Sequence, residues 1–280
     1  MKSARLFGVT FALSLAILCS VGAILLLLPK QNKPAVSSTA VSSYRPDPED
    51  NLSLLVIGEE TGENDGLFFT LLRFDAENKR LTLAGLPPDT EINFGVETAT
   101  LNRHYQQGGG RAALRAVRQA LRVSVDRYAV VDGEDLMVFA DRLGGVTFQL
   151  DRAMVNDSIN LQPGRQTLDG RRFRDAILFD ADYQLDMALV KALIEQRVFS
   201  LSPDAADSLV EQMFNRLETN LSAYDYESRK SALSAWAKAE DNLRIFTLQG
   251  VRDDAGEMFS LSPASVELFR REVYGLEGDL

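Results

Sequence analysis

Three kinds of apolar run divide this chain. The first, residues 7–28 from Phe7 to Leu28, reads FGVTFALSLAILCSVGAILLLL and holds no charged residue. Wound as a helix it would span roughly 33 Å, enough to cross a hydrocarbon core of about 30 Å. Runs of strand length follow at 52–57, 67–74 and 80–86. The polar loop EETGENDG separates the first two, and DAENK between the others predicts a hairpin. Past Gly108, Gly109 and Gly110 the spacing becomes helical: over 111–122, Leu114, Val117 and Leu121 form an apolar face. A strand is expected over 127–131, a helix over 133–143 stopped by Gly144 and Gly145, and a strand over 146–150. Residues 151–168 read mostly as loop. The last third is mainly helical, over 170–179, 183–199, 203–217, 222–238 and 263–274, with one strand at 243–248. Pro203 and Pro263 fall in first turns behind Ser202 and Ser262 as N-caps. Strands mixed with amphipathic helices predict an α/β domain, a central mixed β-sheet covered by helices.

Lys2 and Arg5 precede the long apolar run, which predicts a cytoplasmic N-terminus at 1–6 and a signal-anchor transmembrane helix at 7–28. A cleaved signal peptide is the rival reading, but its apolar core is usually about 7–15 residues. The following PKQNKPAVSS also offers no clean small-x-small site next to the apolar core. Residues 29–50, rich in Pro, Ser and Ala, predict an extracytoplasmic tether, and 51–280 the folded domain. Cys19 is the sole cysteine and lies in the apolar run, so the domain forms no internal disulfide. Bulky Leu18 before it speaks against lipid modification of Cys19.

The formal charge is −10; Lys2, Arg5, Lys30 and Lys33, with no acid among residues 1–33, leave −14 for the remainder. Such a domain is a poor general nucleic-acid binder, and no nucleic-acid partner is expected. An anionic polymer would be repelled too, unless a basic patch or a metal intervened.

Several stretches in order resemble the LytR-CpsA-Psr family of cell-envelope proteins: NLSLLVIGEE at 51–60, LTLAGLPPDTEI at 81–92, LNRHYQQGG at 101–109 and VDRYAVVDGEDLMVFADRLGGVTFQL at 125–150. LDG at 168–170 and ETNLS at 218–222 fit later landmarks. The resemblance implies a single-pass protein of a Gram-positive-type cell membrane with its C-terminal domain outside. It implies an α/β/α domain with an apolar pocket for a polyprenyl chain. It also implies Mg²⁺-dependent transfer of a glycopolymer from polyprenyl-pyrophosphate to the cell wall.

That chemistry needs a cation and arginines to neutralise the leaving pyrophosphate. Asp65 and Asp89 fall where the family has the Asp of Arg-Ser-Asp and of Pro-Arg-Asp, and together would hold Mg²⁺. As ordinary residues they would be turn-formers beside Gly66 and after Pro87 and Pro88. The arginines are replaced: Glu63 and Pro88 stand at the first two positions, Leu178 and Asp180 at the Arg-x-Arg strand end, and Leu185 in the later Asp-x-Gly-Arg. A phosphate facing a carboxylate instead of an arginine costs about 4 kcal/mol at contact distance and an effective dielectric near 20. Arg103, in LNRHYQQGG, is the candidate substrate-binding replacement. His104, the only histidine, shows no partner signature.

Arg111, Arg115, Arg118 and Arg122 recur on one helix face opposite the apolar one. A solvated face is the plainer reading; a strip for anionic polymer or lipid headgroups, extended by Arg171, Arg172 and Arg174, is the sharper one. Leu67, Phe68, Phe69, Phe139, Phe173, Ile177 and Phe179 suit either a lipid pocket or a sheet core. The expectation is a degenerate homologue, a pseudoenzyme of cell-wall biogenesis that binds polyprenyl-linked precursor or an envelope partner. The alternative is an active glycopolymer transferase around Asp65, Asp89 and Arg103.

Overall fold

The computed structural model describes residues 45–59, 65–95, 97–157, 159–179, 183–216 and 218–277. The expected membrane helix at 7–28 and most of the tether lie outside the described residues. Among the described residues, no helix is long and apolar enough to cross a membrane.

Strand β1 (Leu52–Glu59) is buried along its whole length. Its side chains alternate: Leu52, Leu54 and Val56 enter one core, Leu55 and Ile57 the other. β2 (Gly66–Asp75) and β3 (Arg80–Leu86) form the expected hairpin beside it. A short hairpin, β4 (Glu91–Asn93) and β5 (Thr98–Thr100), leads into helix α1 (Leu101–Leu121). β6 (Arg127–Asp132) returns parallel to β1 and runs into α2 (Gly133–Arg142). Four small strands follow: β7 (Val146–Leu150), β8 (Met154–Val155), β9 (Asn160–Leu161) and β10 (Gly164–Leu168). Then come α3 (Gly170–Ile177), α4 (Tyr183–Arg197), α5 (Pro203–Phe214), β11 (Glu218–Thr219), α6 (Ala223–Glu227) and α7 (Lys230–Trp236). β12 (Leu243–Ile245), the hairpin β13 (Gly250–Arg252) and β14 (Phe259–Leu261), and α8 (Pro263–Tyr274) complete the order.

The main sheet runs β11-β6-β1-β2-β3-β12. It is mixed: β1/β6 and β3/β12 are parallel, the other pairs antiparallel. One face packs Leu54, Val56, Phe74 and Leu83 against Leu136 and Phe139 of α2, Phe173 and Ile177 of α3, and Leu193 of α4. Trp236 closes that core, edge-on to Phe74 and Phe199. The other face packs Leu55, Ile57, Phe69 and Leu71 against Leu114, Val117 and Leu121 of α1 and Val266 and Phe269 of α8. The sheet is thus the middle of three layers, as expected. Each fully buried Leu or Phe contributes about 1.5–3 kcal/mol of transfer free energy.

Four local expectations are revised. Helix α1 starts ten residues earlier than its spacing predicted, because Thr100 caps it (Oγ1 to the Arg103 amide, 3.1 Å) and Leu101 and Tyr105 are buried. The glycines lie inside it as a kink, with Gly108 and Gly109 in non-helical conformations; the φ of +61° at Gly109 is one that side chains disfavour. The stretch predicted as one helix at 222–238 splits into α6 and α7, with Ser222 and Asp225 forming a capping box at the first. Finally, Ser202 accepts from the Ala205 amide as a cap, whereas Ser262 makes no side-chain cap bond.

Candidate functional site

Two parallel neighbours in the sheet end on acids. Glu59 closes β1, Asp132 closes β6, and the two stand opposite each other in register. Both are buried, at 4% and 1% exposure. Asp132 caps α2, its Oδ1 accepting the Asp135 amide at 2.8 Å. Glu218 of β11, paired with Val130, adds a third, exposed carboxylate.

The first half of α1 covers this end. Tyr105 donates its phenolic hydrogen to Oε2 of Glu59. Burial pushes the Glu59 carboxyl above its ordinary 4.5; the tyrosine bond opposes this, and Glu218 and Asp132 add to it. Burial, then the bond and charge of Glu59, push the Tyr105 phenol far above its ordinary 10.0. The Tyr128 phenol is raised by burial and by Glu218, with Arg111 pulling the other way. Gly110 lies flat on the Tyr128 ring: a Cβ there would overlap it. The main chain of Tyr128 is fixed from the β11 side, its amide donating to Asn220 Oδ1 at 2.7 Å and its carbonyl accepting the Thr219 hydroxyl.

Asp65 adjoins this region. Its Oδ1 accepts from Asn102 Nδ2 at 2.5 Å and from Gln106 Nε2 at 3.2 Å, both on α1. Asn102 also accepts the Gly66 amide (2.8 Å), and its own amide donates to the Pro88 carbonyl (2.8 Å). Asn102 therefore ties the segment of Asp65 to the segment of Asp89. The two carboxylates do not share a partner, because Asp89 is ion-paired with Arg252 of β13. Among the described residues, no group of three or more His, Cys, Asp or Glu side chains converges to hold a metal. A cation shared by Asp65 and Asp89 would have to displace Arg252 from Asp89. Arg103 is exposed on α1. His104 is buried edge-on to Phe94, its Nε2 without a hydrogen-bond partner.

Glu63 and Asp180, which replace expected arginines, lie outside the described residues. Leu178, at another such position, is partly exposed just past α3. Of the apolar set that suited either a lipid pocket or a sheet core, Phe68, Phe139, Phe173 and Ile177 lie in the core on one face of the sheet and Phe69 in the core on the other, edge-on to Tyr105. Arg171 and Arg174 pair with Asp175 on α3, across the sheet from α1, so they do not extend the arginine row.

Sequence reasoning singled out neither Glu59, Tyr105, Asp132 and Glu218 nor Arg252. The first four had a signal: they sit at the ends of strands or in the quoted segments 51–60, 101–109, 125–150 and 218–222, all of which meet at this end of the sheet. Arg252 had none, since its partner is set only by how the β13–β14 hairpin packs.

The model of the LytR_cpsA_psr family matches residues 29–270, and the chain belongs to that family. The polyisoprenyl-teichoic acid–peptidoglycan teichoic acid transferase TagV of Bacillus subtilis is 24% identical over 181 residues, 58% of this chain and 46% of TagV. This chain thus spans about half the length of that relative. The crystal structure of TagV superposes with a TM-score of 0.69 at 18% identity, covering 80% of this chain and 96% of that one. A putative transcription regulator from Eubacterium siraeum superposes at 0.75 with 16% identity, covering 86% and 98%. TagT with bound octaprenyl pyrophosphate lipid superposes at 0.61 with 18% identity, covering 83% and 92%. At these identities the structural likenesses establish the fold.

Proposed function

We propose that this protein is a membrane-anchored, envelope-facing member of its family that binds a polyprenyl-linked wall precursor, or an envelope partner, without efficient phosphotransfer. The helix at 7–28 would hold it in the membrane, and 29–50 would tether the domain at 51–280. One observation carries the reading: the segments most like the family's converge on a sheet end furnished with Glu59, Asp132 and Glu218. The positions where the family has arginines hold Glu63, Pro88, Leu178 and Asp180. A pyrophosphate leaving group needs positive charge that strengthens its hold as charge develops. Buried carboxylates at the same place oppose that.

The alternative is an active Mg²⁺-dependent transferase that attaches glycopolymer to the wall. Its support is Arg103, exposed and next in sequence to the Asn102 that holds Asp65, with Asp65 as the side chain to which Mg²⁺ would be assigned.

The two readings separate when the full chain, in detergent, is incubated with polyprenyl-pyrophosphate and Mg²⁺. Lipid that co-purifies with no loss of phosphate is the expected result. Turnover that Asp65→Ala abolishes would overturn it.

A further inference from the structure

Helix α1 has the wrong charge for this protein. The chain is strongly acidic, yet α1 contains no Asp or Glu, and its charged residues are Arg103, Arg111, Arg115 and Arg118. Arg122 follows as its left-handed cap, with a φ of +50°. All five are exposed. Arg118 turns back to the Val125 carbonyl (Nε, 2.8 Å), whereas among the described residues neither Arg115 nor Arg122 forms an ion pair. Some arginines elsewhere find acids, as Arg127 with Asp225, Arg174 with Asp175, Arg244 with Glu272 and Arg252 with Asp89, while Arg197 bonds main-chain carbonyls. The adjoining α8 carries Glu267, Arg270, Arg271 and Glu272, and nets zero. Glu91 lines the same cavity as Arg122, and Glu218 approaches Gly109, but the helix itself brings no acid to offset its exposed arginines, and in an acidic protein such a row points outward to a partner with negative charge.

The course of α1 identifies that partner. Its start lies at the acid-lined end, where Asn102 holds Gly66 opposite Glu59. Its far end leads into β6, whose Arg127 stands beside Leu54 near the beginning of β1. The row therefore runs from the candidate site to the end of the domain where the chain enters from residue 45. Residues 29–44 reach at most roughly 55 Å when extended, which keeps a membrane-anchored domain close to the bilayer. Lying on the bilayer along α1 would bring both the entry point and the candidate site to the lipid surface. Beside the helix, Phe94 is 44% exposed and caps His104, an apolar side chain suited to the headgroup boundary.

We propose that the outer face of α1, through Arg115 and Arg122 with Arg111 and Phe94, docks this domain on the anionic lipid surface of its own membrane. The inference rests on the anchoring proposed above. Each arginine near an anionic bilayer contributes about fivefold to partitioning, so losing two shifts the docked-to-undocked ratio about 30-fold.

The test uses the full chain in vesicles of phosphatidylcholine with or without phosphatidylglycerol. Cys19→Ser removes the only native thiol, and Gln119→Cys, one helical turn beyond Arg115, takes a fluorophore quenched by headgroup-nitroxide lipid. Strong quenching is expected only with phosphatidylglycerol, fading near ~1 M salt, where the screening length is about 3 Å. Arg115→Gln with Arg122→Asn, asparagine tolerating the left-handed cap, should lose it; Arg115→Lys with Arg122→Lys should keep it. Equal quenching in both vesicle types, or quenching unaffected by the neutral pair, overturns the proposal. So does displacement of the label from phosphatidylglycerol vesicles by a soluble phosphodiester glycopolymer, which would assign the row to the polymer. If the neutral pair does not fold, the lysine pair and the salt series on the unsubstituted row still decide. Resistance to alkaline extraction reads the anchor alone, and co-purification of polyprenyl-pyrophosphate reads the proposed function alone; neither should change in the neutral pair.

Discussion

The hydroxyl of Tyr105 donates a hydrogen bond to the carboxylate of Glu59, 46 residues away, and so fastens the start of α1 to the last residue of β1. The pair sits where the segments typical of the family meet. Removing the donor leaves a buried acceptor unserved, which costs about 1–3 kcal/mol. Tyr105→Phe should lower stability by that amount in urea unfolding at pH 7. An unchanged midpoint would mean that the bond contributes nothing.

Glu59 also makes a prediction in pH. Its folded-state pKa lies above 4.5, chiefly through burial, so the folded protein holds that proton more tightly than the unfolded chain. The stability this contributes is fully present below about 4.5 and is lost as pH rises through the folded value. Glu59→Gln keeps an oxygen for Tyr105 and removes the charge. Urea midpoints measured from pH 4 upward should fall less in this variant, leaving it the more stable protein at pH 7. A Glu59→Gln protein less stable at pH 7 would show that the ionised carboxylate is needed by the fold.

Asp225 behaves in the opposite sense. Burial opposes its ionisation, but the Arg127 fork at 2.9 and 3.0 Å and the Ser222 hydroxyl and amide outweigh it and hold its carboxyl below the ordinary 3.8. The stability it contributes is present above 3.8 and is lost as pH falls through the lower, folded value. Asp225→Ala should cost about 1–3 kcal/mol at pH 7, with the difference from the unsubstituted protein shrinking under acid. A pH-independent difference would assign the loss to packing instead.

Gly110 should tolerate no side chain. The Tyr128 ring occupies the space a Cβ would take, so Gly110→Ala is expected to lower thermal stability by about 1–3 kcal/mol. Combining it with Tyr128→Ala should remove most of that added cost. Independent, additive losses would place the strain elsewhere in the kink.

The Asp89–Arg252 pair is the counter-case. Arg252 is 46% exposed, and pairs of that kind contribute at most about 1 kcal/mol. Arg252→Ala should barely move the melting temperature while freeing Asp89. If the active reading holds, that variant gains Mg²⁺ affinity in a direct titration; no gain favours the binding reading.

The sequence by itself determined the layers. The strand-length apolar runs at 52–57 and 67–74 and the DAENK turn specify strands and a hairpin, because a strand covered on both faces reads as a continuous apolar run and the turn is local. The 3.6-residue spacing of Leu114, Val117 and Leu121 likewise specifies a helix face, and the ordered family-like segments specify the family. The kink at Gly108 and Gly109 escaped that reasoning, since three glycines look like a helix start until Leu101 and Tyr105 are seen buried in front of them. The candidate site was legible only as fragments. Whether Asp65 and Asp89 share a partner, and which acids stand at the sheet end, depends on contacts between residues distant in the chain. Parallel pairing of β1 with β6 brings Glu59 beside Asp132, and packing of the β13–β14 hairpin brings Arg252 to Asp89. Local pattern carries no information about such partners; they are chosen by how the two apolar faces of the sheet are covered, and that is decided by the tertiary structure.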